Sequence, residues 1–208
     1  MKLGSHICSI YKDKEQQFSQ AIQLLMEGLE NNQKCFYIAD KSLKDEIILN
    51  FEKHEFSLKK HIDTKQFVFL SVDEFYLKDN VFDPKKTVES IKDIEKDTLK
   101  SGFVGIRGVG EMAWVGNDPS YGEKLIEYES SLNDFLQQSK CTTICQYNEK
   151  EFDPGLLINI IRAHPDIIIY GKYYKNKYFY TPTEYMKEES GEFIPSDYKT
   201  IIDTIITE

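Results

Sequence analysis

The chain has 208 residues, the size of one ordinary domain or of one domain with a small appendage. Hydrophobic residues make up 40% of it, and 26 basic against 35 acidic residues give a net charge of −9. That is enough for a sizeable core, and it excludes the basic face that direct nucleic-acid binding needs. No apolar run approaches the ~20 residues of a membrane span, and the amino terminus lacks the apolar stretch of a signal peptide. The four cysteines, Cys8, Cys35, Cys141 and Cys145, sit mostly in apolar runs and read as reduced, buried thiols of a cytoplasmic protein.

In order, the chain alternates strand and helix. His6 to Tyr11 reads as a short strand. Lys14 to Leu29 reads as an amphipathic helix with Phe18, Ala21, Ile22, Leu25, Met26 and Leu29 on one face. Lys34 to Ala39 is a second strand, and Ser42 can cap a helix carrying Leu43, Ile47, Ile48 and Phe51. Phe67 to Val72 is a third strand, followed by an acidic and aromatic loop at Asp73–Tyr76. Of three Asp-Pro pairs, Asp83-Pro84 starts a helix with Asp as cap and Pro in the first turn, Asp118-Pro119 precedes the next helix, and Asp153-Pro154 starts another. Cys141 to Tyr147 and Ile167 to Tyr170 complete the strands. Repeated strand–helix units of this kind predict an α/β fold, a largely parallel sheet with helices on both faces.

The stretch from Ser101 to Trp114 interrupts the pattern. Phe103, Val104 and Ile106 predict a buried strand entered at Gly102, after which Arg107, Gly108, Gly110, Glu111, Met112 and the single tryptophan, Trp114, follow at its carboxyl end. Ligands bind at carboxyl ends in open α/β sheets. The plainer alternative is an Arg107–Glu111 pair closing a turn, with Trp114 as a core plug.

Beyond Gly171 the texture changes to Tyr173, Tyr174, Tyr178, Phe179 and Tyr180 with lysines between them. This predicts a hairpin around Asn176 or an amphipathic element over the sheet edge. A short helix from Thr183, a polar link and a final helix from Tyr198 to Ile206, with Ile201, Ile202, Ile205 and Ile206 on one stripe, complete the chain. Residues 1–171 thus read as the core domain. Residues 172–208 read as an extension packing on the core or on a partner.

A doubly wound pattern invites a search for a nucleotide site. The turn after the first strand, Tyr11 to Gln17, has no glycine and carries two acids, and no Gly-x-Gly-x-x-Gly follows any strand. ATP and NAD are disfavoured and no cofactor is implied. His6 and Cys8 share a strand face and offer two soft metal ligands or a His–Cys pair. Cys145 is an obvious third ligand and a fourth is not evident, so the expectation is no bound metal. His164, before Pro165, reads as a helix-end cap.

Several segments together resemble one family. They are His6-Ile7-Cys8-Ser9-Ile10-Tyr11, Gly28-Leu29-Glu30, Tyr37-Ile38-Ala39-Asp40, Asp73-Glu74-x-Tyr76-Leu77 and Phe82-Asp83-Pro84. Arg107-x-x-Gly110-Glu111-Met112-x-Trp114, Glu127-Tyr128-Glu129, Cys145-Gln146-Tyr147, Phe152-Asp153-Pro154 and His164-Pro165 continue the match over residues 4 to 171. In this order they are similar to the MEDS sensory domain, the methanogen and methylotroph domain named after a dichloromethane-responsive regulator.

The resemblance implies a RecA-like three-layer sandwich that has lost its phosphate loop, and a sensor of small hydrocarbon derivatives. Members are often fused to a helix-turn-helix or a kinase; no such segment is evident here, so the output would pass to a downstream regulatory protein. A homodimer is left open. The favoured reading is a non-enzymatic regulatory domain. Its small-molecule ligand would be lined by His6, Cys8, Arg107, Glu111, Met112, Trp114, Cys145 and Tyr147, with Arg107 and Glu111 fixing a polar group. The alternatives are an enzyme using the His6/Cys8 pair or Glu111, and a degenerate RecA-like protein-interaction module without a ligand.

Overall fold

A computed structural model of the chain describes residues 1–117, 120–180 and 195–207. Seven strands form one sheet: β1 His6–Tyr11, β2 Lys34–Ala39, β3 Phe67–Ser71, β4 Ile106–Glu111, β5 Cys141–Asn148, β6 Asp166–Ile169 and β7 Lys172–Lys175. Their order is β3-β2-β4-β5-β1-β6-β7, all parallel except the β6–β7 pair. The helices are α1 Lys14–Glu30, α2 Lys44–Lys53, α3 Lys59–Asp63, α4 Val72–Phe75, α5 Pro84–Lys100, α6 Tyr121–Leu136, α7 Pro154–Arg162 and α8 Pro195–Thr207.

The core splits into two clusters, one on each face of the sheet. Ile7, Tyr37, Val109, Ile144 and Ile168 meet α1 and α2 on the first face. Cys8, Ile10, Phe36, Ile106, Cys145, Tyr147 and Ile167 meet α5, α6, α7 and α8 on the second. This is the predicted α/β architecture, a mostly parallel sheet between two helical layers. Strands covered on both sides must be apolar on both sides, and β1 and β6 are buried along their full length.

Local chemistry sets the element ends. Asp83 and Asp153 cap α5 and α7, each with Pro in the first turn. Asp13 caps α1 by accepting from the Gln16 amide at 2.9 Å. The N–H that a phosphate loop would offer there already has a carboxylate. Ser42 is not a cap: its amide donates to Asp40, which caps the short 3-10 turn Lys41–Leu43 leading into α2, and α2 itself has no side-chain cap. The acidic segment after β3 is a helical turn rather than a loop, because Ser71 and Glu74 form a reciprocal capping box.

The largest departure concerns the fourth strand. It runs from Ile106 to Glu111, so Arg107 and Glu111 lie inside it and Val104 is exposed outside it. Gly108 and Gly110 hide the strand in the sequence because glycine has low strand propensity. They serve a packing role, facing the second layer where the Tyr76 side chain lies directly over Gly110.

The Tyr-rich segment also differs. β7 pairs antiparallel with β6, Asp166 opposite Lys175, and the turn is Tyr170–Gly171 with positive φ at both residues. Asn176 instead donates to the Ile161 and His164 carbonyls. The final helix places Tyr198, Ile201, Ile202 and Ile205 in the second core layer, against α7, while Ile206, expected on the same stripe, is exposed. The Asp118-Pro119 pair and the segment from Thr183 to the last helix lie outside the described residues. Among the described residues no helix is long and apolar enough to cross a membrane.

Candidate functional site

The eight residues expected to line one site divide between the two faces. Arg107 and Glu111 point toward α1. Four residues apart on one strand, they stand about 13 Å from each other and do not pair. Arg107 Nε donates to Gln33 Oε1 at 2.6 Å and Nη2 to the Met1 carbonyl at 3.0 Å, with Glu27 at 3.4 Å. Glu111 accepts from Tyr11 Oη at 3.1 Å and from the Ala113 amide at 2.9 Å. Burial pushes its carboxyl up to about 7, against the pull of those two donors.

The other six face the second layer, five of them in two neighbouring groups. Met112 and Trp114 belong to an aromatic cluster in which Trp114 stacks on Tyr76 at 5.2 Å and meets Phe82 edge-on at 5.0 Å. Beside it, over β2, β4 and β5, lies an almost wholly apolar cavity of about 40 Å³. Its floor is Gly108 and Gly110, its walls include Phe36, Ile91 and Ile106, and Tyr76 and Tyr128 close one side. Burial pushes both of those hydroxyls well above the usual tyrosine range.

His6, Cys145 and Tyr147 form the second group, with two residues that strand reasoning did not place there. Glu129 reaches in from α6 and His164 from the end of α7, and all are buried. His6 Nε2 and His164 Nε2 stand 3.0 and 3.3 Å from Glu129 Oε2, and Cys145 Sγ stands 3.5 Å from His6 Nε2. The two imidazoles are 4.1 Å apart, centre to centre. Each ring is held from behind, His6 Nδ1 by Asn133 Oδ1 at 2.8 Å and His164 Nδ1 by the Ile160 carbonyl at 2.7 Å. Tyr147 donates to Glu129 Oε1.

Burial lowers the His6 pKa, and His164 beside it acts the same way. Burial alone would raise Glu129, but the two histidines, wherever they carry a second proton, hold it well below the usual carboxylate range. Cys8 lies on the same sheet face, outside this group. All four cysteines are free thiols, and burial pushes each of them up, the opposite of what a nucleophilic thiolate needs.

One signal in the sequence did mark Glu129. It falls on the stripe Leu125, Leu132 and Leu136 of α6, all buried, and an acid on a core stripe demands a partner. His164 carried no such signal, since a histidine at a helix end has an ordinary explanation.

No curated protein is similar enough to the chain to match it. A family model, described as the methanogen/methylotroph, DcmR sensory domain, matches residues 5–165, a span that holds the cavity and the whole His6–Glu129–Cys145–His164 group. With most of its length matched, the chain belongs to the MEDS family of sensory domains.

Proposed function

We propose that the chain is a non-enzymatic sensory domain that binds a small, largely apolar organic molecule in the glycine-floored cavity beneath α5. The observation that carries this reading is the cavity itself. Two glycines in the middle of a core strand leave space where side chains would otherwise fill the layer, and interiors rarely keep such space. At about 40 Å³ it offers room for roughly three water-sized groups. That is the scale of a one- or two-carbon compound, such as a halogenated or methylated hydrocarbon. The Tyr76–Tyr128 hydroxyl pair at its side is the polar handle that would orient a single heteroatom.

Arg107 and Glu111 take no part in this reading, because they lie across the sheet. Met112, Trp114 and Tyr76 do, as the aromatic flank of the cavity. On a RecA-like frame without a phosphate loop, the signal would pass through a shift of the helices over the cavity to a downstream regulatory protein.

Trp114 gives the test. It is the single tryptophan, and it stacks on a residue that lines the cavity. Small halogenated, methylated and short-chain compounds are titrated against the full chain while tryptophan emission and melting temperature are followed. A saturable shift in both supports the reading. If none of them moves either signal, the cavity is a packing defect and the reading falls.

A further inference from the structure

We infer that His6, Glu129, Cys145 and His164 form a binding site for one divalent transition-metal ion, of the zinc class. The site stands apart from the ligand cavity, and its argument does not depend on it.

The orientation of the rings comes first. Asn133 Nδ2 donates to the Ala163 carbonyl, which leaves its Oδ1 facing His6 Nδ1. An amide oxygen only accepts, so His6 Nδ1 carries the proton. The Ile160 carbonyl likewise only accepts, so His164 Nδ1 carries the proton there. In the neutral imidazoles both Nε2 atoms are then lone pairs, and both point at the carboxylate oxygen Glu129 Oε2. Lone pair faces lone pair.

The contacts do not resolve this as hydrogen bonds. Among the described residues, Glu129 Oε2 and His164 Nε2 are buried atoms with no hydrogen-bond partner, despite their 3.3 Å separation. Orphaned buried acceptors of this kind cost free energy unless something between them is positive.

A metal ion supplies it. The four donor atoms lie within 4.8 Å of one another. Tetrahedral coordination at Zn–N and Zn–S bond lengths sets neighbouring donors about 3.3–3.8 Å apart; three of the six donor pairs, at 3.0, 3.3 and 3.5 Å, already stand within a few tenths of an ångström of that range, and the remaining pairs, none beyond 4.8 Å, must draw in as the ion binds. Two imidazoles, a carboxylate and a thiol are a donor set for zinc-class ions rather than for calcium or magnesium. Binding releases the Cys145 proton to solvent, and the thiolate and carboxylate then neutralise the divalent charge, as a dry site requires. The supports behind the ligands are already in place: Asn133, the Ile160 carbonyl and the Tyr147 hydroxyl each fix one of them.

The test uses tag-free full chain, reduced and stripped with chelator, titrated with Co²⁺ as a spectroscopic stand-in for Zn²⁺. One equivalent is expected to give visible d–d bands of four-coordinate intensity and a near-ultraviolet thiolate-to-cobalt band, both erased by Zn²⁺. One proton should be released per ion at neutral pH. Cys145→Ser, close to isosteric, should lose the thiolate band, while Cys8→Ser, Cys35→Ser and Cys141→Ser keep it. A wild-type chain that develops no cobalt spectrum overturns the assignment, and so does a thiolate band that survives Cys145→Ser. The wild-type spectrum decides the matter even if a variant fails to fold. A chain without it would hold its four groups by shared protons alone.

Discussion

Replacing Gly108 by alanine separates a cavity that exists for a ligand from one that exists by accident. A Cβ at 108 would stand 3.4 Å from Thr143 Cγ2 and 3.9 Å from the Thr142 carbonyl, and the residue is not among the glycines with positive φ. The new methyl therefore enters the cavity with little collision. Loss of unfolded-chain freedom contributes about 0.4–1 kcal/mol, and burial of one methyl about 0.8 kcal/mol. Against these stands a few tenths of an ångström of give at Thr143, so the net is stabilisation of about 1 kcal/mol. For a domain of this size that is a rise of about 2–4 °C in melting temperature. The same methyl removes about a third of the room, and forcing a ligand into the remainder costs about 1–3 kcal/mol, a loss of roughly tenfold to a hundredfold in affinity. Thermal melts and Trp114 titrations with a compound from the screen measure the two effects. Gly110→Ala is the counter-test. Its Cβ would collide with the Tyr76 hydroxyl, so it should destabilise the fold. A Gly108→Ala chain that binds the compound as tightly as wild type would refute the placement of the ligand. One that melts lower would refute the packing argument itself.

Three further outcomes follow from the geometry. Arg107→Ala leaves Gln33 Oε1 and the Met1 carbonyl without their donor, and should cost about 2–3 kcal/mol in a urea melt; compound affinity should stay within twofold, since Arg107 lies across the sheet from the cavity. Glu111, with its carboxyl raised to about 7 by burial, favours the fold while protonated in both states, below about pH 4.5, and loses that advantage as pH rises through 7. Glu111→Gln should accordingly change stability little near pH 5 and add up to about 3 kcal/mol at pH 8, and a difference that stays flat with pH would contradict the burial argument. Ile202→Ala, in a helix that buries this side chain against the core, should cost about 2–4 kcal/mol by denaturant melt; a cost near zero would mean that the helix is held elsewhere.

Period and capping carried most of the fold. α1 and the Asp-Pro helices α5 and α7 are legible because each has both a stripe and a cap, and β1 and β2 because their apolar runs are short and bounded. β4 was misread for a definite reason. Strand reading rewards β-branched and aromatic residues, so Phe103 and Val104 drew the strand toward themselves. The true strand holds two glycines, an arginine and a glutamate. Its stability comes from pairing with β2 and β5 on both sides, and from tertiary contacts that a window along the chain does not contain.

The candidate sites show the same limit more sharply. His6 and Cys8, two apart on β1, were the visible pair, and their alternation correctly put them on one face. The neighbour that completes the group, however, comes from register and not from spacing. Cys8 sits opposite Cys145 across the β1–β5 ladder and Thr143 opposite His6, so Cys145 approaches His6 diagonally. Glu129 and His164 then arrive from two helices in the layer above, 35 residues apart in the chain. No local pattern connects them. What could be read was the anomaly of each alone: an acid on the core stripe of α6, and a histidine between a helix and a buried strand. Taken singly, each anomaly has an ordinary structural explanation. Only their convergence on one carboxylate oxygen, with both outer ring nitrogens already committed, turns four buried polar side chains into a site that calls for a cation.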